Sequence, residues 1–576
     1  MRNDHRAHNQ RRSYDRASQG DRVAQGGPRQ NRGGKSFDKK GGKPFEKRDG
    51  KPHPKRDSDG KPYPKRDGKP FDKRDRKPSG KRDDGFKPSH DSKPYQKRDG
   101  AARLPRDDAR QQFDKRRGSG KRATSARELA LSAIHQLRER DAFAQDVIAK
   151  TIDDSKLSRE DRAFATRLVL GVVSMRGTLD EVLDSCMDSP DDVSPAVRDA
   201  LDLSVYEIIY LDKSPHAAVD QGVELVRSVA PRASGLANAV LRRVVRAKAA
   251  FPFGDPRCDL AAYARLHGFP QWLTERLLAE LGGQGALDFM KASNEPAPVF
   301  VAVNAVKADE AEVVAVLAAA HGEPEKVTVA GREVPGCYRL ASGTVLLDGR
   351  VARLINQGLL LVSDATSQAV ASLVVGDALP ASFLEIGAGR ATKTILDQSC
   401  ARRRFGEQIP DYVTVDNHAF KTKLLRERAE AYGVSVAEAF TGDGTDLAAV
   451  VGERTFDTVF LDAPCTGLGT LRRHPEIRWR LRRGTIAEQA ELNGRLLAEA
   501  AAHVVPGGTL AYATCTITHE ENADTVEKFL KSEAGAAFEL VPYENPELGL
   551  ATPFFSPALV PGGPDAHFLA LMRRKR

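Results

Sequence analysis

Apolar residues recur every three to four positions from Ser125 to about Arg246, as in "RELALSAIHQLRER", "REDRAFATRLVLGVVSMR" and "SPAVRDALDLSVYEIIYL". That period is helical. Ser125-Ala126-Arg127-Glu128 has the capping-box form that opens a helix, ahead of Leu129, Ala133, Ile134 and Leu137 on one face. "HAAVDQGVELVRSVA" and "SGLANAVLRRVVRAKAA" continue without strand alternation, so residues 123–250 are predicted to form an all-helical domain. "HGFPQWLTERLLAELGG" predicts a further helix, started through Pro270. From about Pro296 the period shortens: "VFVAVN", "EKVTVAG" and "GTVLLDG" read as strands around the helical "ADEAEVVAVLAAAHG". Residues 251–375 thus read as linker helices and a small α+β subdomain. From 376 to 576 strands and helices alternate, the pattern of a parallel or mostly parallel sheet. The predicted strands are "ASFLEI", "YVTVD", "FDTVFLDA", "GTLAYATCT", "FELVPY" and "HFLALMRR".

Residues 1–122 carry neither period. Units such as "KPFEKRD", "KPYPKRD" and "KPYQKRD" repeat from Lys43 to Lys93, each with at most one ring. So little burial is available that chain entropy wins, and a disordered tail is expected. Charge sharpens the contrast. Residues 1–120 net +19 and the rest −9, so the overall +10 belongs to the tail. Lysines and arginines beside Phe45, Tyr63, Phe71 and Tyr95 suit loose RNA binding, cations on phosphates and rings on unpaired bases. A solubilising linker is the plainer reading of the same composition.

A chain of 576 residues exceeds one core and implies several domains. Its six cysteines are scattered, with no Cys-x-x-Cys pair, so no zinc ribbon, thioredoxin motif or other metal set is suggested. They read as reduced thiols of a cytoplasmic protein. The amino terminus has no apolar stretch of signal-peptide type, and no run of about 18 apolar residues predicts a membrane span. No dimerisation signal is visible, so a monomer is expected.

Chemistry enters at "FLEIGAGRATKTI". A strand ends near Glu385, a turn through Gly387, Ala388 and Gly389 follows, and a helix opens near Thr392. Such glycines let backbone approach an adenosine-type ligand at the carboxyl ends of a doubly wound sheet. Asp416 closes the next predicted strand, 31 positions after Glu385, where an acid accepts hydrogen bonds from ribose hydroxyls. Asp443, in "TGDGTDL", falls where a third strand should end and could receive an adenine amino group. Asp462 closes a fourth. Each acid alone could be a cap or turn residue; the ordered series favours a cofactor site. No phosphate-cradling Gly-x-x-x-x-Gly-Lys motif is present, which points away from nucleotide hydrolysis and toward S-adenosylmethionine.

Two cysteines follow strand ends beside this site: Cys465 in "DAPCTGLGTLRRHPEIRW" and Cys515 in "GGTLAYATCT". Carbon 5 of cytosine is too poor a nucleophile to take a methyl unaided. A thiolate adding to carbon 6 makes the ring an enamine able to attack a sulfonium methyl. A free thiol titrates near about 8.5, so the site must lower that value or supply a base. An acid near ring nitrogen 3, the place of Asp462, favours the addition. Residue types do not say which thiol attacks. A buried strand-end cysteine can also be merely a small hydrophobe.

"LDLSVYEIIYLDKSPHAAVDQGVELVRSVAP" and "LANAVLRRVV" resemble the NusB fold, an all-helical RNA-binding module. "FDTVFLDAPCTGLGTLRRHPEIRW", "GGTLAYATCTITHEENADTVEKFL", "SDATSQAVASLV" and "GGPDAHFLALMRR" resemble motifs of the RsmB-like, Nol/Nop/Sun family of RNA 5-methylcytosine methyltransferases. Together the resemblance spans about 125–576. It implies an all-α NusB-like domain, a small α+β RNA-binding subdomain and an α/β doubly wound class I methyltransferase domain, behind the disordered tail. It implies RNA, ribosomal RNA in particular, as partner, Cys515 as nucleophile, and Cys465 as the thiol that assists product release. Asp462 and Lys393 would then hold the target base. Gly387, Ala388, Gly389, Arg390, Ala391, Thr392, Lys393, Asp416, Asp443 and Asp462 would line the cofactor. The family's Cys-Ala-Ala-Pro-Gly-Gly-Lys-Thr stretch is here Gly387 to Thr394, without its proline and adjacent glycines. Ala302 stands where the family has an RNA-contacting arginine, and Arg472, Arg473 and His474 are candidates for phosphate contact. A non-catalytic ribosome-assembly factor with a decayed cofactor loop, a methyltransferase for transfer RNA and a DNA methyltransferase are the alternatives.

Overall fold

The computed structural model describes residues 125–140, 142–211 and 213–576. The basic repeats, and the disorder and RNA contacts expected of them, lie outside the described residues. The capping box forms as read: the Ser125 amide donates to Glu128 Oε2 at 3.0 Å and the Glu128 amide to Ser125 Oγ at 3.3 Å. Helices Ala126–Arg140, Arg159–Ser185, Pro215–Val229 and Ser234–Ala247 pack around Pro195–Ile209, which is buried on all sides from Asp199 to Ile208, in a common core that includes Ile134, Leu179, Leu201 and Leu241. This is the predicted helical domain.

Helix Gln271–Ala292 starts after Pro270 as expected but runs past Gly283, bending at Gly282 with φ of +69°. The small subdomain is a four-stranded antiparallel sheet: β1 (Val299–Val303), β2 (Glu325–Val329), β3 (Arg332–Leu340) and β4 (Leu360–Val362), in spatial order β2-β3-β1-β4. One sequence expectation is corrected here. "GTVLLDG" is not a strand but a 3-10 turn, Gly343–Leu347, running into a helix capped by Asp348. Ser342 Oγ accepts from the Thr344 amide at 3.2 Å and Asp348 from the Arg350 amide at 2.8 Å. These polar caps override a short apolar run. The central strand β3 escaped notice because Pro335 and Gly336 break its alternation.

The carboxyl-terminal sheet comprises β5 (Ser382–Ile386), β6 (Asp411–Asp416), β7 (Glu438–Thr441), β8 (Phe456–Asp462), β9 (Val504–Thr514), β10 (Phe538–Val541) and β13 (Phe568–Arg574). A separate ribbon, β11 (Tyr543–Asn545) and β12 (Leu550–Thr552), lies between β10 and β13 in sequence. The spatial order is β10-β13-β9-β8-β5-β6-β7, with β13 alone running against the others and β10 and β9 flanking it in the common direction. The crossover reverses direction at β5, where doubly wound sheets open a crevice at their carboxyl ends. Central strands are apolar on both faces, as parallel sheets require. Phe383 stacks on Tyr412 at 4.7 Å on one side, while Leu384 joins Val413 and Val459 on the other. Among the described residues no helix is long and apolar enough to cross a membrane.

Candidate active site

The crevice is built from strand ends. After β5, Gly387 turns with φ of +83°, its amide donating to Val415 O at 2.9 Å. A Cβ there would lie 2.4 Å from Asp462 O, so only glycine lets the loop pass the end of β8. Gly389 (φ +57°) donates its amide to Asp416 Oδ2 at 3.0 Å, and His418 donates to Asp416 Oδ1 at 2.9 Å. Asp416 is buried and ties the first loop to the second. Ala388 is buried, and Ala391, left-handed with φ of +64°, caps the helix that Thr392 begins. Arg390 points outward to an ion pair with Asp146 of the helical domain at 3.3 Å. Asp443 sits on the exposed loop after β7. Its carboxylate is held below the ordinary range by the Thr445 amide (2.9 Å) and hydroxyl (2.8 Å). The adjoining Gly442 amide donates to Asp416 O at 3.1 Å, joining the third loop to the second.

The reactive groups converge one strand over. Lys393 Nζ lies 3.1 Å from both Asp462 oxygens and 5.8 Å from the Phe460 ring centroid. Burial opposes its charge, but Asp462, with Cys515 and Asp397 behind it, raises its pKa above the ordinary lysine range. Lys393 is thus a fixed cation beside Cys515. Cys465 Sγ and Cys515 Sγ are 3.3 Å apart, both free thiols, and the Cys515 amide donates to Cys465 Sγ at 3.3 Å. The hydrogen bond with Cys515, and burial after it, push the Cys465 thiol well up.

Sequence reasoning missed the carboxylate that holds the two cysteine loops. Glu521, fully buried, accepts from the Thr466 amide (2.7 Å), Thr466 Oγ1 (2.7 Å), Thr516 Oγ1 (3.1 Å) and Thr518 Oγ1 (2.7 Å). Thr466 follows Cys465 and Thr516 follows Cys515, so one side chain staples both. The signal was three threonines ahead of an acid in "TCTITHEEN". Glu521→Ala strands that amide and those hydroxyls, with an expected loss of roughly 2–3 kcal/mol read from the denaturant midpoint, and Glu521→Gln should lose less.

In the sequence Glu385 shows only as a strand end. It is fully buried, with Thr394 Oγ1 at 2.6 Å and Tyr412 Oη at 3.0 Å, and Tyr412 Oη is also 2.7 Å from Asp397. One hydroxyl proton cannot serve two carboxylates, so one acid must supply its own. Burial accordingly raises both Glu385 and Asp397. A carboxyl whose folded pKa is raised binds more protons folded than unfolded, so stability falls as pH climbs from the ordinary glutamate range toward the raised value. Glu385→Gln should therefore flatten the decline of melting temperature between about pH 5 and pH 8.

The phosphate contacts expected of Arg472, Arg473 and His474 do not form a surface. Arg472 is buried and donates to the carbonyls of Ala292 (3.0 Å), Gly563 (2.6 Å) and Val560 (2.9 Å). Arg473 pairs with Asp565 (2.7 Å) and Asp364 (3.1 Å), and His474 meets the Phe143 ring edge-on at 5.1 Å. Ala302 is buried too. The following segment clasps the helical domain. Glu476 Oε1 accepts from the Ala144 amide at 3.0 Å, and Trp479 Nε1 donates to Ser174 O at 3.0 Å. The Trp479 ring lies where a Cβ on Gly177 would come within 2.2 Å.

Known proteins match this arrangement segment by segment. The family described as 16S rRNA methyltransferase RsmB/F matches residues 407–573, the NusB family 124–246, and the RsmF/B-like ferredoxin-like domain 269–334. The ribosomal RNA small subunit methyltransferase B of Sodalis glossinidius is 31% identical over 423 residues, 72% of this chain and 90% of that protein. Its namesake from Klebsiella pneumoniae is 28% identical over 414 residues, 71% of this chain and 90% of that one. The crystal structure of PH0851 shares the fold with a TM-score of 0.65 at 23% identity, covering 79% of this chain and all of that one. Matched domain by domain and across nine-tenths of a relative's length, the chain belongs to the RsmB/F family of ribosomal RNA methyltransferases.

Proposed function

We propose that this RNA methyltransferase moves a methyl from S-adenosylmethionine to carbon 5 of a cytosine in 16S ribosomal RNA through a covalent cysteine adduct. The observation that carries the reading is the pair of free thiols 3.3 Å apart, next to the Lys393–Asp462 ion pair.

The residues fit a phosphate-free adenosyl cofactor. Gly387 and Gly389 keep side chains out of the cradle, Asp416 stands at the ribose position, and Asp443 lies on the loop beyond. Bound there, S-adenosylmethionine supplies an electrophilic methyl on a sulfonium. The chain's own work is on the pyrimidine. The Cys515 sulfur bonds to carbon 6 as its proton passes by way of Asp462 to nitrogen 3, beside the Lys393 cation. Electron density reaches carbon 5, which accepts the methyl. The carbon 5 proton then leaves to solvent, the carbon 6–sulfur bond breaks, and the nitrogen 3 proton returns through Asp462 to the departing sulfur. The protonated Cys465 thiol, in contact with the leaving sulfur, stabilises it by hydrogen bonding. The target base must leave its stack, at a cost of a few kcal/mol that is least in single-stranded RNA.

The test uses RNA carrying 5-fluorocytosine and methyl-labelled S-adenosylmethionine. Fluorine cannot leave carbon 5 as a proton does, so a labelled protein–RNA complex should persist through denaturing electrophoresis. Methyl transfer to unmodified RNA with no trapped complex would refute the covalent route.

A further inference from the structure

We infer that His567 is a specificity-determining residue that accepts a hydrogen bond from the exocyclic amino group of the target cytosine. The inference rests on the cytosine reading above.

His567 immediately precedes β13, which pairs antiparallel with β9 in the register Phe568↔Thr514 and Leu569↔Ala513. His567 and Cys515 are the next residues of the two chains, where the ladder stops and Gly469 comes between them. Side chains alternate faces along a strand, so His567 continues the face of Leu569, and Cys515 that of Ala513. That face is the one holding Leu569, Ala513 and Phe460, and Lys393 reaches over the Phe460 ring. The loop carrying His567 is itself fixed. The Ala566 amide donates to Gly469 O at 3.1 Å, the Gly469 amide to Cys515 O at 2.9 Å, and the Asp565 amide to Asp364 Oδ2 at 3.1 Å.

The imidazole is only 7% exposed, and its Nδ1 is buried without a partner. A buried polar atom left unmatched calls for a partner that arrives later, and Asp565 Oδ1 in the same loop is unmatched as well. The groups acting on the ring are Lys393, Asp364, Asp462 and the Asp565 backbone. Burial first, and the Lys393 charge second, hold its pKa down to about 4, so the ring is neutral at physiological pH. In the tautomer that carries its proton on Nε2, the unpartnered Nδ1 is an acceptor. Along its pairing edge cytosine offers one donor, the 4-amino group, because nitrogen 3 and oxygen 2 accept. Uracil presents an acceptor at position 4, which would face the Nδ1 lone pair unfavourably. An acceptor beside the nucleophile therefore selects cytosine, as the base parts Lys393 from Asp462 on entering.

The experiment measures single-turnover methylation of an rRNA fragment whose methylated cytosine is replaced by pyrimidin-2-one, the same ring without the amino group. Wild type, His567→Phe and His567→Asn are compared on both substrates. Wild type should lose at least about tenfold in rate constant over KM on removal of the amino group. His567→Phe should lose a similar factor on cytosine and little more on the analogue, while the Asn carbonyl should restore part of the discrimination. A wild type indifferent to the amino group overturns the inference without any variant. So does a folded His567→Phe that discriminates as wild type does. Failure of the cytosine reading looks different: wild type then places no methyl on carbon 5 of the normal RNA.

Discussion

Cys515→Ala is expected to lose methyl transfer by on the order of 10⁴-fold or more and to form no covalent RNA complex. The sulfur is the only group proposed to bond carbon 6, and without that bond carbon 5 remains unreactive. Cys465, though 3.3 Å away, cannot stand in, because burial and the neighbouring thiol hold it protonated. Cys465→Ala should show the opposite signature. Addition and transfer proceed, but the departing sulfur lacks its hydrogen-bond donor, and the RNA adduct accumulates on a denaturing gel. The reverse pattern, adduct with Cys515→Ala and none with Cys465→Ala, would exchange the two roles. Both substitutions remove a small side chain at a strand end, so thermal melting should change little beside the kinetic effect.

Gly387→Ala should weaken S-adenosylmethionine binding by about tenfold to a hundredfold, measured by titration calorimetry. A left-handed alanine costs about 1–2 kcal/mol. Here its methyl would also sit 2.4 Å from a backbone oxygen that has no freedom to rotate away. That oxygen belongs to Asp462, so relief must come by moving the cradle or the end of β8, and with it the partner of Lys393. The same substitution should therefore slow adduct formation even at saturating cofactor. Unchanged cofactor affinity in a folded Gly387→Ala would show that the loop does not form the cofactor site.

Much of this was legible in the sequence, for reasons that differ by region. The helical domain announced itself through a sustained period, and the strand ends at Glu385, Asp416 and Asp462 through apolar runs stopped by acids. The "GTVLLDG" segment misled because Val345, Leu346 and Leu347 look like a strand while Ser342 and Asp348 set turns on either side. Arg472 and Arg473 looked like surface cations because nothing local reveals that their partners, Val560, Gly563 and Asp565, arrive from about ninety residues away. His567 was invisible for the same reason, whereas Glu521 had a local signal in Thr516 and Thr518 and only its Thr466 partner comes from afar. Their significance lies in what the β8–β9 and β9–β13 pairings set beside them.

The contact between Trp479 and Gly177 bears on how the two halves can be separated. A chain cut free of its helical front would present an indole ring and the Glu476 carboxylate to water, with the amide of Ala144 and the carbonyl of Ser174 gone. The catalytic half would then carry a new sticky face some fourteen residues downstream of Cys465. Expressed alone it should self-associate, because the helical front is what keeps that face from water.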